Sequence, residues 1–331
     1  MTRISFSSVN YQSAESVAII TGVARSGKTT VGNILGSCRN VDHVEEPKPF
    51  IHLPILAHAG SMPESLALAM FQAYVFDLWH ERTLMRNVNF RPSDQSSIWK
   101  QKSPNEIISR LIRMKSREDV EQYYYKKHPE LVLTLTHLIP FCDFFWKALP
   151  GCRIIHVLRD CLQVAMDVTN KGWLSDEQLM NPIHASPYRK YMRQNDGVVF
   201  CLPYWVETGH EEYYLAMTTF SRGLHYWRRL LEMADNITKD SNNDRLLHLI
   251  KFSDVLDRPR DTINKLTETL GYRHTSLTKR LISKVNRSKE VQISNNIWTD
   301  VDERELNAAR NICCEFNLDT TSIDIALDKL C

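Results

Sequence analysis

A phosphate-binding loop near the start of the chain is the feature that most restricts the possible folds. Residues 22–29, with the letters GVARSGKT, match the pattern Gly-x-x-x-x-Gly-Lys-Ser/Thr at every fixed position. A β-branched run before the loop predicts a strand over Ser16–Val23, and the apolar spacing after it predicts a helix over Thr29–Cys38. A strand, a glycine loop and a helix in this order are typical of phosphate binding in α/β proteins.

The residue types within the loop suit an anionic ligand. Glycines let several backbone N–H groups converge on one anion, and the following helix adds the positive end of its dipole. Arg25 and Lys28 would contribute full positive charges, and the hydroxyls of Ser26, Thr29 and Thr30 would contribute hydrogen-bond donors.

The composition excludes several classes of protein. With 331 residues, 43% of them hydrophobic, the chain is predicted to fold as one enlarged α/β domain. Its formal charge of +2 lacks the basic excess of a nonspecific nucleic-acid binder. No apolar run approaches the length of a membrane span and no signal-peptide pattern is present, so neither a membrane partner nor secretion is expected. Eight scattered cysteines without metal-ligand spacing indicate reduced thiols, no metal site and a cytoplasmic location.

The remaining strands and helices alternate. Four further apolar runs predict strands, over Val41–Glu46, Leu131–Thr136, Arg153–Leu158 and Leu246–Phe252. A short predicted helix joins the second and third of these strands, which favours a parallel βαβ unit that is buried on both faces. The alternation predicts an α/β fold with a doubly wound, mainly parallel sheet and flanking helices.

Two long segments lie outside this alternation. The first, about 63–127, is predicted to be a helical insertion over the sheet, and its amphipathic pattern places four apolar residues on one face and bases on the other: Ile107, Ile108, Leu111 and Ile112. The second is predicted to be irregular over 172–209, and eight of the 28 residues from Phe200 to Trp227 are aromatic. This aromatic segment indicates either an apolar pocket or a cluster in the core.

The loop alone leaves open which group is transferred. In a nucleotide triphosphatase, Thr29 would hold Mg²⁺ together with an acidic residue at the end of another strand. The strand that ends at Thr136 offers no carboxylate there. Asp160, which follows the strand Arg153–Leu158, is therefore the candidate for the acidic Mg²⁺ ligand, although the positive charge of its neighbour Arg159 does not favour a metal ion.

Several segments in a fixed order resemble the sulfotransferases that use 3′-phosphoadenosine-5′-phosphosulfate (PAPS). From residue 16 to about 272 they read GVARSGKTT, HVEEPKPF, LTLTHLIPF, RIIHVLRDCLQVAMDV and IKFSDVLDRPRDTINKLTETLGY. The resemblance implies a single sulfotransferase-like domain over residues 1–331 with a P-loop-like fold. It also implies PAPS as co-substrate, 3′-phosphoadenosine-5′-phosphate as product and no metal. The segment of about 172–227 would then contribute to the acceptor pocket.

The resemblance assigns roles to individual residues. Arg25–Thr30 match the loop around the 5′-phosphosulfate, and the letters THL match a family motif in which the histidine, here His137, is the catalytic base. Arg159 resembles the arginine that binds the 3′-phosphate. Phe252 lies where the family often has a tyrosine against the nucleotide, and Trp227 resembles the tryptophan of the preceding helix.

The sequence departs from the family pattern at three positions. Lys28 stands where many members have threonine, which makes the loop a kinase-type motif as well. Leu135 replaces a lysine that contacts phosphate, a contact that Lys28 could provide instead. Asp167 replaces the serine that holds the 3′-phosphate, and a desolvated carboxylate there would repel that phosphate. A basic stretch that includes Arg287 could cover the 3′-phosphate, or it could form a solvated helix face.

The resemblance thus implies transfer of a sulfuryl group to a hydroxyl or amine of a small molecule. His137 would remove the acceptor proton, while Arg25 and Lys28 would stabilise the leaving phosphate. Glu45 and Glu46 follow the second predicted strand, where they could contact a cationic or hydroxylated acceptor or could be surface charges.

Tyr204 and Trp205, in the aromatic segment, are the other candidates for acceptor binding. Two further functions stay open: a Mg²⁺-ATP-dependent kinase or nucleotide hydrolase that uses the same loop, and a non-catalytic nucleotide-binding module. In the second of these, Leu135 and Asp167 would mark a degenerate site. Neither the chemical identity of the acceptor nor the oligomeric state follows from the sequence.

Overall fold

The described residues form two compact units. The computed structural model describes residues 16–181, 190–194, 197–234, 246–285 and 301–330. The first unit contains residues 16–22, 27–157 and 246–285, and the second contains residues 23–26, 158–181, 190–194, 197–234 and 301–330. No helix within these ranges has the length and apolar character needed to cross a membrane. The single domain over residues 1–331 stays a prediction.

A five-stranded sheet organises the first unit. The strands of the chain are β1 (Val17–Gly22), β2 (Val41–Glu45), β3 (Glu130–Thr136), β4 (Arg153–Leu158), β5 (Lys190–Arg193), β6 (Val199–Leu202) and β7 (Leu247–Lys251). The sheet order is β2-β3-β1-β4-β7, and β5 and β6 form a separate antiparallel hairpin in the second unit. β1 pairs in parallel with both β3 and β4, and β2 pairs in parallel with β3. Since Gly22 lies opposite Thr136, and Glu45 opposite Thr134, the carboxyl ends of β1, β2 and β3 share one edge of the sheet.

Fifteen α-helices are present in the described part of the chain. They are α1 (Lys28–Gly36), α2 (Lys48–His58), α3 (Glu64–Thr83), α4 (Pro104–Arg113), α5 (Arg117–Lys127), α6 (Cys142–Ala148), α7 (Cys161–Asn170), α8 (Asp176–Met180), α9 (Glu211–Ala216), α10 (Thr219–Met233), α11 (Phe252–Asp257), α12 (Pro259–Leu270), α13 (Ser276–Ser283), α14 (Glu303–Glu315) and α15 (Thr321–Leu330). Helices α7–α10, α14 and α15 belong to the second unit, and the others belong to the first.

The central strands are apolar because helices cover the sheet. All six residues of β1 are buried, and Ile20 and Ile155 pack in one cluster with Val31 and Leu35 of α1 and with Ile263 of α12. Strands buried on both faces read as continuous apolar runs rather than as alternating patterns. The predicted α/β class, with a mainly parallel sheet and flanking helices, is therefore confirmed.

The aromatic segment of the second unit forms its core. Six of the eight aromatic side chains between Phe200 and Trp227 are buried in one cluster, and the other two, Tyr204 and Tyr213, pack against its edge. Helices α7 and α10 approach so closely in this core that a Cβ on Gly223 would lie 2.8 Å from the Cα atom of Ala165. Of the two interpretations of this segment, the structure supports the core cluster.

The predicted parallel relation of β3 and β4 is present, with β1 between them. Two other details of the predicted organisation differ in the structure. The segment 172–209 contains α8 and the β5–β6 hairpin, although its prolines predicted an irregular chain. The predicted helical insertion is interrupted between Thr83 and Pro104, where the described structure is a loop with one short 3₁₀ helix over Ile98–Lys100.

Helix α4 is turned opposite to its amphipathic pattern. Ile107 is 1% exposed, but Ile108 is 52% exposed, and Leu111 and Ile112 are exposed with it. Arg110 points inward instead and donates two hydrogen bonds, of 2.8 and 2.9 Å, to the carboxylate of Asp42 in β2. A buried carboxylate needs close cationic partners, and Arg110 provides one from the inward face of the helix.

Asp42 is the centre of a buried group of charges. The Lys102 ammonium lies 3.6 Å from the Asp42 carboxylate, and Glu106 lies 3.4 Å from Lys102 and 3.0 Å from Arg110. Burial alone would raise the pKa of Asp42, but the charges of Arg110, Lys102 and Arg82 outweigh burial and lower that pKa to about 2. Asp42 therefore stays ionised, and α4 is attached to β2 through charge rather than through apolar contact.

The two adjacent isoleucines of α4 provide a matched test of its orientation. Ile107→Ala removes buried apolar volume and is expected to lower the free energy of unfolding by about 2–5 kcal/mol. Ile108→Ala removes the same atoms from an exposed position and is expected to change that free energy by only about 0.5 kcal/mol. Denaturant unfolding of both variants checks the pair. Equal losses in the two variants would contradict the inverted orientation.

Two buried histidines predict a loss of stability in acid. The pKa of His43 and that of His156 are both lowered to about 3, mainly by burial. Nearby cations lower them further: Arg82 and Lys102 act on His43, and Lys28 acts on His156. Between pH 3 and about 6.5 the unfolded chain binds more protons at these histidines than the folded chain does. The free energy of unfolding therefore falls as the pH falls, by about 1.4 kcal/mol per pH unit for each histidine below pH 6.

The variant His43→Gln is expected to remove the contribution of one histidine to this pH dependence. Its free energy of unfolding, measured by urea denaturation between pH 7 and 4.5, should decline less steeply than that of the wild type. His128→Asn, at an exposed position with a left-handed backbone, serves as the control substitution. A His43→Gln slope equal to the control slope would show that His43 does not cause the acid dependence.

Candidate functional site

The loop after β1 contains residues in the left-handed region of backbone space. Gly27 has a φ of +97°, and Arg25 has a φ of +66°, which is uncommon for a residue with a side chain. The Ser26 N–H donates to the Val23 carbonyl at 3.3 Å and closes a turn. Residues 23–26 belong to the second unit, whereas Gly27 begins the longest part of the first unit.

Glycine is required at position 27 for two reasons. A side chain is strained at a φ of +97°, and a Cβ atom would lie 2.2–2.7 Å from three ring carbons of Phe252. Phe252 is buried at the start of α11, directly after β7. Its ring therefore supports the loop at the point where α1 begins.

Lys28 is a buried cation at the amino end of α1. Only 4% of Lys28 is exposed, and the N–H groups of Thr30 and Val31 both donate to the Gly27 carbonyl, at 3.0 and 3.2 Å. The Lys28 charge acts on the buried, neutral His156 of β4, whose pKa it helps to lower. A buried ammonium beside the positive end of a helix dipole favours an anion at this position.

Glu45 is half-buried next to the loop. The Thr29 hydroxyl donates a hydrogen bond to Glu45 Oε1. Burial is the main cause that raises the pKa of Glu45, and the negative charges of Glu46 and Asp94 raise it further, whereas the Thr29 hydrogen bond and Lys28 act in the opposite direction.

Glu46 and His137 lie at the ends of neighbouring strands. The Thr136 hydroxyl donates to Glu46 Oε1, and the Glu46 N–H donates to the Thr134 carbonyl at 2.9 Å. His137 is half-buried, and its N–H donates to the Gly22 carbonyl at 3.0 Å. Both residues have a positive φ, +47° for Glu46 and +71° for His137. Strained non-glycine residues of this kind cluster at functional sites.

Arg159, Asp167 and Arg25 form an ion-paired group in the second unit. Arg159 Nη1 donates to Asp167 Oδ2 at 2.7 Å and to the Arg25 carbonyl at 2.6 Å, while Arg159 Nη2 donates to Gln163 at 3.4 Å. Arg25 Nε lies 3.6 Å from the same Asp167 oxygen. Arg159 is 8% exposed and Asp167 is 7% exposed, whereas the side chain of Arg25 is largely accessible. One buried carboxylate thus pairs with two arginines.

The aromatic core of the second unit supports this group. The Tyr226 hydroxyl accepts a hydrogen bond from the Ala24 N–H of the loop, and Trp227 Nε1 donates to the Arg159 carbonyl at 2.9 Å. Trp205 is buried against the Tyr226 ring, with the two ring centroids 4.8 Å apart, and the half-buried Tyr204 lies against Trp205. Trp205 therefore supports the loop through Tyr226.

The structure brings the predicted residues together in two groups. The first unit joins Gly27, Lys28, Thr29, Thr30, Glu45, Glu46, His137 and Phe252 around the ends of β1, β2 and β3. The second unit joins Arg25, Ser26, Arg159 and Asp167 with Tyr204 and Trp205 behind them. Arg287 lies outside the described residues. Sequence reasoning missed Tyr226, Gln163 and His156, because no local pattern marks a side chain whose partner is distant in the chain.

Asp160 has a structural partner of its own. Its carboxylate accepts the Gln163 N–H at 2.8 Å and caps the amino end of α7. Burial is the main cause that raises the pKa of Asp160. Within the ranges that the structure describes, no three His, Cys, Asp or Glu side chains are grouped as metal ligands.

Comparisons with known proteins identify a family. The family model described as a sulfotransferase domain matches residues 15–311. No curated protein matches the sequence significantly. Among solved structures, the chain is similar to the sulfotransferase domain of the Synechococcus PCC 7002 olefin synthase, with 12% identity, 92% of this chain and 94% of that chain covered, and a TM-score of 0.44.

Two other solved structures are similar to the chain. Sulfotransferase STF9 from Mycobacterium avium shares 13% identity, with 92% of this chain and 76% of that chain covered and a TM-score of 0.45. The sulfotransferase domain from the curacin biosynthetic pathway shares 10% identity, with 92% and 97% covered and a TM-score of 0.48.

The close approach of Gly27 to Phe252 predicts the effect of a single methyl group. Gly27→Ala is expected to displace the loop and to weaken any phosphate ligand held there by at least about tenfold, as measured by calorimetry with 3′-phosphoadenosine-5′-phosphate as the probe. Gly60→Ala is the matched control, because Gly60 also has a left-handed φ, +68°, but a Cβ there meets no atom within 4 Å. If Gly27→Ala binds the nucleotide as tightly as Gly60→Ala does, the loop does not hold the ligand.

Proposed function

Because the chain belongs to the sulfotransferase domain family, we propose that it transfers a sulfuryl group from PAPS to a hydroxyl or amine of a small-molecule acceptor. The observation that carries this proposal is the phosphate loop: a buried Lys28 at the start of α1, behind a glycine that has no room for a side chain. We further propose that the protein is cytoplasmic and has neither a nucleic-acid nor a membrane partner.

The donor set of the first unit fits the 5′-phosphosulfate half of PAPS. Convergent N–H groups at the start of α1, the ammonium of Lys28 and the hydroxyls of Thr29 and Thr30 are the donors that an anionic phosphosulfate requires. Gly27 belongs to the same donor set, and Arg25 and Ser26, which precede it in the sequence motif, are proposed as further donors. PAPS supplies the sulfuryl group, and 3′-phosphoadenosine-5′-phosphate is the product that leaves.

Sulfuryl transfer requires little from the protein beyond alignment, proton removal and stabilisation of charge on the leaving phosphate. Lys28 and Arg25 would hold the oxygens on which that charge increases. The buried position of Lys28 supports this role, since a charge in a low-dielectric environment acts more strongly than one in water.

His137 is the proposed general base. It follows β3 at the sheet edge where β1 and β2 also end, in a strained backbone conformation that the Gly22 carbonyl holds. A ring nitrogen of His137 would take the proton from the acceptor hydroxyl or amine. A positioned base of this kind contributes about 10²- to 10⁴-fold to the rate.

Glu45 and Glu46 are proposed to contact the acceptor. Both carboxylates lie near the loop and near the strand that leads to His137, held by the hydroxyls of Thr29 and Thr136. Carboxylates there favour an acceptor that carries hydroxyl or ammonium donors. Tyr204 remains a proposed acceptor contact, and Trp205, which was also predicted to be one, is buried and would support Tyr204 from behind.

The nucleotide part of PAPS, with its 3′-phosphate, is proposed to bind at Arg159, Asp167 and Phe252. Arg287, which is proposed to bind it too, lies in the part of the chain that the structure does not describe. Phe252 packs against Gly27, so it would act on the nucleotide through the shape of the loop. Arg159 supplies the charge that a 3′-phosphate needs, but Asp167 already pairs with it.

A Mg²⁺-ATP-dependent kinase or hydrolase is the second candidate. The observation that favours it is the contact between Thr29 and Glu45, which pairs the hydroxyl expected to bind Mg²⁺ with a carboxylate at a strand end. A non-catalytic nucleotide-binding module is the third. Nucleotide stabilisation that depends on Mg²⁺ would select the kinase, and binding without turnover would select the module.

The proposed reaction is tested with radiolabelled PAPS and a panel of hydroxyl and amine acceptors. Wild-type protein is expected to transfer label in the presence of a metal chelator. His137→Ala should lower turnover by about 10²- to 10⁴-fold and leave the affinity for 3′-phosphoadenosine-5′-phosphate close to the wild-type value. His128→Asn, which replaces an exposed histidine before β3, should retain wild-type turnover. Full activity in His137→Ala would exclude it as the base.

A further inference from the structure

Asp167 is the residue that departs most clearly from what a 3′-phosphate site requires. It is buried, and its Oδ2 atom lies 2.7 Å from Arg159 Nη1 and 3.6 Å from Arg25 Nε. All three residues belong to the second unit. The cation assigned to the 3′-phosphate therefore already has a negative partner that the protein itself supplies.

This partner changes which ligand groups Arg159 favours. Arg159 Nη1 is shared between Asp167 and the Arg25 carbonyl, and Nη2 contacts Gln163. A phosphate placed at Arg159 would lie close to the Asp167 carboxylate, and in a site this buried the repulsion between the two anions is only weakly screened. The carboxylate thus cancels much of the attraction that Arg159 offers to a phosphate.

A ribose hydroxyl has the opposite preference. A carboxylate accepts a hydrogen bond from a sugar hydroxyl, whereas an arginine without a counter-ion suits a phosphate at the same sugar position. Dinucleotide-binding proteins use this difference: an acidic residue binds the free ribose hydroxyl and an arginine accommodates the phosphorylated form. Asp167 and Arg159 place both residue types in one ion pair.

We propose that Asp167 is a specificity-determining residue that allows a free ribose 3′-hydroxyl in the sulfuryl donor. The substrate class then includes adenosine 5′-phosphosulfate as well as its 3′-phosphorylated form. This inference rests on the proposed sulfotransferase function. With the unphosphorylated donor, the bond between sulfur and the bridging oxygen of the 5′-phosphate breaks, and a bond forms between sulfur and the acceptor atom. The acceptor proton passes to His137, and adenosine 5′-phosphate leaves.

The first test compares two nucleotides on the wild-type protein by calorimetry. Adenosine 5′-phosphate is expected to bind within about tenfold of the affinity of 3′-phosphoadenosine-5′-phosphate. A preference of about 100-fold or more for the 3′-phosphorylated nucleotide would overturn the role of Asp167 and leave the sulfotransferase proposal intact. If neither nucleotide binds, the sulfotransferase proposal fails and this inference fails with it.

The second test removes the carboxylate. Asp167→Ser and Asp167→Asn are expected to tighten the binding of 3′-phosphoadenosine-5′-phosphate by at least about tenfold and to leave the affinity for adenosine 5′-phosphate unchanged or lower. Asparagine has the size of aspartate, so the Asp167→Asn variant gives the deciding measurement if Asp167→Ser unfolds at a lower temperature. Asp143→Ser, at an exposed aspartate outside both groups, controls for net charge. An unchanged affinity ratio in Asp167→Asn would overturn the proposal.

Discussion

The structure depends on the turn between β1 and α1, where a loop without room for a side chain meets a buried cation. β1 is the middle strand of the sheet and pairs with β3 and β4, so the position of the loop follows from the pairing of both neighbours. Gly27 rests on Phe252, and Lys28 is buried beside His156. The parallel strands then bring Glu45, Glu46 and His137 to the same sheet edge as the loop.

Charge is distributed unevenly around the predicted functional residues. In the first unit, the cation Lys28 acts on Glu45, and Glu46 and Asp94 add negative charge nearby. In the second unit, one carboxylate serves two arginines. The proposed anionic donor and the proposed hydroxylated or cationic acceptor would need opposite fields, and the described residues carry charges of both signs. A net charge of +2 conceals this arrangement.

A structural feature could be predicted from the sequence when the residues that produce it are close together in the chain. The loop, its strand and its helix were predictable because their glycines, lysine and apolar spacing are consecutive in the chain. The inward position of Arg110 in α4 could not be predicted, because its partner Asp42 lies 68 positions earlier and periodicity carries no information about that distant carboxylate. The β5–β6 hairpin was missed because nearby prolines predicted an irregular segment.

The sequence by itself determined the fold class, the phosphate loop and the family, since each follows from residue types at fixed local spacing. It also marked Asp167 as a departure, but without a partner. Only the tertiary structure decided that Asp167 pairs with Arg159 and Arg25, that Trp205 lies behind Tyr226, and that Arg110 rather than Ile108 faces the core. The physical reason is common to all three: the free energy of a buried charge or ring depends on which neighbours surround it, and the fold alone brings those neighbours together.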